Sequence, residues 1–91
     1  MGMWKYTIEN GTALREAIYD GSTKEVVNIL TMCCEELSDK LNNRDKEYCR
    51  EDIQDILDTL YDIDVCDTET IDDCLADFYD ICDSVRAFVN L

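Results

Sequence analysis

The chain of 91 residues holds 22 acidic side chains against eight basic ones and no histidine, a net charge of −14 at neutral pH. Its 46% apolar content supports a folded core and argues against disorder, and its length suits one domain, 1–91. Direct binding to nucleic acid or to an anionic membrane is excluded by like charge, and the net charge exceeds the magnitude of about 2–8 that solubility asks of a small domain.

Trp4, Tyr6 and Ile8 alternate with Lys5 and Thr7, the period of a half-buried strand. No second strand is evident, so residues 1–11 read equally well as an extended arm across helices. Asn10-Gly11-Thr12 breaks the alternation and offers a helix cap. Ala13, Leu14, Ala17 and Ile18 then describe a short helix stopped by Asp20-Gly21.

Ser22 and Glu25 have capping-box spacing. Behind them Val26, Ile29 or Leu30, Cys33, Leu37 and Leu41 form an amphipathic stripe that ends at Asn42-Asn43. A third helix is expected from about Asp45 to Ile63, with Cys49, Ile53, Ile56, Leu60 and Ile63 facing inward. After a polar break capped by Asp67, Thr68 or Thr70, a last helix carries Ile71, Leu75, Phe78, Cys82, Val85 and Val89 on one narrow seam. The expected fold is all-α: a compact bundle (12–91) of three main helices and a short first one, preceded by the arm.

The charge is unevenly spread. Residues 1–50 carry nine acids and seven bases, whereas residues 51–91 carry thirteen acids and one base, Arg86. On the third helix Glu51, Asp55, Asp58 and Asp62 stack along one line roughly 16 Å long. Asp73, Asp77 and Asp80 repeat the spacing on the last, where Asp72 and Asp83 also lie on the side away from the seam. Like charges at i, i+4 destabilise a helix, and almost no base relieves these lines. Were the two helices neighbours, the ridges would form a carboxylate patch resembling nucleic-acid backbone and would steer the chain to a basic protein. The plainer alternative is a solvated acidic face.

Cys74, Ile81 and Phe88 repeat every seven residues beside the seam, with Tyr79 on its other flank. They read either as extra core or as an apolar anchor, Tyr79, Ile81 or Phe88, for a partner or a homodimer. The six cysteines contain no C-x-x-C pair and read as thiols, those at 33, 49 and 82 on the seams and Cys34 at a seam's edge. Asp62, Asp64, Cys66, Thr68, Thr70 and Asp73 only weakly imitate a calcium loop, because Asp67 stands where glycine is needed. Without histidine or a pocket that splits carboxylate pKa values, no catalytic site, cofactor or metal is expected. No long apolar run or secretory signal stands out, so the expectation is a cytoplasmic protein without a membrane span.

Two strings carry a resemblance. Trp4-Lys5-Tyr6 with Glu9-Asn10-Gly11 and Leu14-Arg15-Glu16-Ala17-Ile18 is one; Asp77-Phe78-Tyr79-Asp80-Ile81-Cys82-Asp83 with Val85-Arg86 is the other. Together they resemble short acidic proteins of unassigned function encoded by phages and prophages of Gram-positive bacteria. The resemblance covers both ends of the chain and not its middle. It implies a phage protein acting in the host bacterial cytoplasm, and small acidic phage proteins include DNA-mimicking inhibitors of host defence. The resulting expectation is a non-enzymatic inhibitor or modulator of a basic nucleic-acid-binding protein. A homodimeric structural or assembly module is the alternative.

Overall fold

A computed structural model describes residues 6–41 and 47–89. In chain order the elements are β1 (Tyr6–Ile8), α1 (Gly11–Asp20), α2 (Thr23–Lys40), α3 (Glu47–Tyr61), α4 (Thr68–Val85) and β2 (Ala87–Val89). The expected helical bundle is present. Expectations resting on Trp4, Lys5, Asn42, Asn43 and Asp45 lie outside the described residues.

Local chemistry accounts for the helix ends. Gly21 closes α1 in the left-handed region, at φ 72°, and donates its N–H to the Ile18 carbonyl at 3.1 Å. Ser22 Oγ caps α2 by accepting from the Glu25 N–H at 3.4 Å. The reciprocal half of the capping box is preempted, because the Ser22 N–H is taken by the Ala17 carbonyl of the preceding helix. Of the three candidate caps for α4, Asp67 is the one used: its carboxylate accepts from the N–H and the hydroxyl of Thr70.

The helix α2 is central, packing against α1, α3, α4 and β1, while α3 and α4 pack on each other. A shortest dimension of 17 Å matches two layers of helices about 10 Å across. Ile8, Leu14, Leu30, Leu37, Ile53 and Phe78 are fully buried in one continuous core. Central placement also corrects the reading of Cys34, which is fully buried and not at an edge. An element with neighbours on several sides must bury more than a narrow stripe.

The largest departure from expectation is at the carboxyl end. The α4 helix stops at Val85, and Arg86 adopts the left-handed conformation at φ 59°. Ala87, Phe88 and Val89 then run as a strand parallel to Tyr6, Thr7 and Ile8. Phe88 and Val89 therefore belong to no helix face. The partner that the amino-terminal strand lacked in sequence lies 81 residues further on, across the whole bundle, with Tyr6 opposite Ala87. A parallel pair requires such a crossover.

Arg86 holds a conformation that glycine adopts without a Cβ penalty. Arg86→Gly is expected to stabilise the fold by about 0.5–1 kcal/mol, read as a higher urea midpoint at unchanged slope. An unchanged or lower midpoint would show that the arginine side chain offsets the strain.

Candidate acidic groove

Packing of α3 against α4 gathers acids from both helices around one groove. Asp52 and Asp55 line it from α3, Asp77 and Asp80 from α4, and Ile56, Cys74 and Ile81 form its floor with Thr59 at one end. The cavity is about 380 Å³. Thr59 also borders a second recess, lined by Asp58, Asp62, Ile63, Asp64, Asp67 and Thr70, so the two make one acidic trough along α3. Among the described residues, no lysine or arginine lines either part.

The carboxylates of the trough differ in what already occupies them. Asp64 accepts from the Cys66 N–H at 2.9 Å and Asp67 caps α4, so both hold the turn that joins the helices. Asp58 accepts from Gln54 Nε2 at 2.9 Å. By contrast, among the described residues no donor reaches the carboxylates of Asp52, Asp55, Asp77 or Asp80. Elsewhere, Lys40 pairs with Glu36 at 3.1 Å, and Arg50 donates to the Leu41 carbonyl at 2.8 Å. The described bases that are engaged thus serve the fold away from the groove. Neither α3 nor α4 has a base in its last turn, while Asp58 and Asp83 sit near those turns, where the negative end of the helix dipole disfavours carboxylates.

The structure redistributes the expected site residues. Asp55, Asp77 and Asp80 meet in the groove, whereas Asp58 and Asp62 line the adjoining recess. Glu51 and Asp73 are exposed and line neither. Asp72, grouped with the α4 acids in sequence, instead borders an apolar recess with Ile18, Val26 and Ile71. Asp52 was missed. Its signal was the i, i+3 step to Asp55 beside the inward-facing Ile53 and Ile56, which marks the border of a buried face.

The apolar flank also resolves differently along its length. Cys74 and Ile81 are buried, 5% and 7% exposed, and form the groove floor. They are core residues and not a free anchor, because α4 faces α3, α2 and β2 together and needs a broad apolar face. Tyr79 is half-buried with its ring tilted against Phe78, centroids 5.7 Å apart. Phe88 stands on β2 and is 39% exposed.

The thiols of Cys33, Cys34 and Cys82 are held protonated. Burial, followed by the nearby Glu36, pushes Cys33 up to about 12. Burial, with Cys33 and Asp83 adding to it, does the same to Cys82. Cys34 is raised further, first by burial. Such groups pack as small hydrophobes and supply neither a nucleophile nor a thiolate ligand at neutral pH. Among the described residues, no three His, Cys, Asp or Glu side chains are grouped to hold a metal ion. No described helix is long and apolar enough to cross a membrane. Comparison with protein-family models, curated proteins and solved structures finds no match for this chain.

Proposed function

We propose that this chain is a non-enzymatic, phage-type acidic binding protein that occupies the basic site of a nucleic-acid-handling protein, as a DNA-mimicking inhibitor or modulator would. The observation carrying this reading is the α3–α4 trough, where carboxylates from two helices share one face with no base from the described residues among them. Among the described residues, four of those carboxylates accept no hydrogen bond. Acids placed at helix ends that disfavour them fit selection for a surface better than selection for stability. An anti-defence role in a host bacterial cytoplasm extends this reading through the phage resemblance alone.

The test is displacement of labelled duplex DNA from DNA-binding and DNA-cleaving defence proteins of Gram-positive hosts, followed by fluorescence anisotropy. Competition should weaken steeply between about 0.05 and 0.3 M salt. Reversing Asp55, Asp58 and Asp77 to lysine should abolish it, while circular dichroism remains helical because all three side chains are exposed. Full competition by that triple variant would sink the proposal.

A further inference from the structure

Resting on the acidic-surface reading, we infer that the α3–α4 groove receives one kind of structure: a helix of the partner that presents arginines at i, i+3 or i+4 spacing. The groove is concave with an apolar floor of Ile56, Cys74 and Ile81, and its walls carry Asp52 and Asp55 on one side and Asp80 and Asp77 on the other. A cationic side chain with an aliphatic stem matches both surfaces, the stem on the floor and the head at the walls. Arginine suits the walls better than lysine, since its weakly hydrated, forked guanidinium engages paired carboxylates.

Spacing selects the helix. Asp52 and Asp55, like Asp77 and Asp80, are three residues apart, about 4.5 Å along their helix axes. Side chains on one face of a partner helix advance by about 4.5–6 Å at i, i+3 or i+4. Same-face residues of an extended chain advance by nearly 7 Å and drift out of step. A second copy of this chain is disfavoured as the occupant by its own charge of −14.

The experiment uses the full chain and three probes: a helical peptide with arginines at positions i, i+4 and i+7, the same composition interrupted by proline, and spermine. Anisotropy gives affinities at low salt, and methyl NMR follows Ile56 and Ile81. The helical peptide should bind at least about fivefold tighter than the interrupted one and shift both methyls. Asp55→Asn with Asp77→Asn should weaken it about tenfold or more, against less than about threefold for Glu51→Gln with Asp73→Asn. Equal binding by both peptides, or binding insensitive to the Asp55/Asp77 pair, overturns the groove inference and leaves the acidic-surface reading standing. Spermine matching the helical peptide and displacing it overturns the helical occupant. If no probe binds, the inference fails, and the DNA-displacement assay decides the broader reading separately.

Discussion

Phe78→Ala is expected to cost about 3–5 kcal/mol. Among the described residues Phe78 is the largest of the fully buried side chains, on the helix that packs against α2, α3 and β2. Its loss removes apolar burial and leaves a cavity that helices anchored on three sides cannot collapse to fill. A domain of this size is stabilised by roughly 5–13 kcal/mol in total, and self-repulsion among 22 acids works against it. The variant should therefore show a much lower urea midpoint, whereas Phe78→Leu should cost less than half as much. Added salt should recover part of the loss by screening the acids. A midpoint shift no larger for alanine than for leucine would refute the account of the core.

The second large effect belongs to Glu36, a side chain absent from every sequence-based site. Its carboxylate accepts from the Glu9 N–H at 2.9 Å and from Asn10 Nδ2 at 3.1 Å, and pairs with Lys40. Lys40 in turn donates to the Thr7 carbonyl. Together these contacts tie β1 and the start of α1 to α2. Asn10 occupies the cap position of α1, yet its side-chain amide is directed to this anchor. Burial acts to raise the Glu36 pKa. The hydrogen bonds from Glu9, Lys40 and Asn10 outweigh it and hold the carboxyl below its ordinary value.

The sign of the linkage follows. A depressed folded-state pKa contributes stability that is fully present above the unfolded-state value, near 4.5. That contribution is lost as pH falls through the folded-state value. Glu36→Gln should therefore cost about 2 kcal/mol at pH 7, and its deficit relative to the parent should shrink below about pH 4.5. Amide exchange at Tyr6–Ile8 should accelerate more than exchange in α3. A deficit independent of pH would assign the effect to packing and not to charge.

Much of this molecule was legible because it depends on neighbours in sequence. Helix periodicity exposed the buried faces of α2 and α3, and short-range chemistry marked Gly21 as a stop, Ser22 as a cap and Asp67 as one of three candidate caps. The excess of acids beyond residue 50 is a property of composition. It argues against nucleic acid as a direct partner by like charge and underlies the basic partner proposed above.

Other features required the chain to meet itself. Val89 continues the spacing of Val85, and no glycine or proline marks the end of α4, so periodicity extends the helix too far. What ends it is a ladder of backbone hydrogen bonds to β1, available only once the bundle brings the two ends together. Cys34, Cys74 and Ile81 became core because α2 and α4 have neighbours on several sides, a fact no single-helix projection contains. The acidic ridges lie parallel in sequence, but the antiparallel packing of α3 on α4 sorts them. It draws Asp52 in with Asp55, Asp77 and Asp80, leaves Glu51 and Asp73 outside, and turns Asp72 toward α1 and α2. Composition thus determined the sign of the surface's charge. Tertiary packing alone decided which carboxylates stand together, because a groove exists only between two helices.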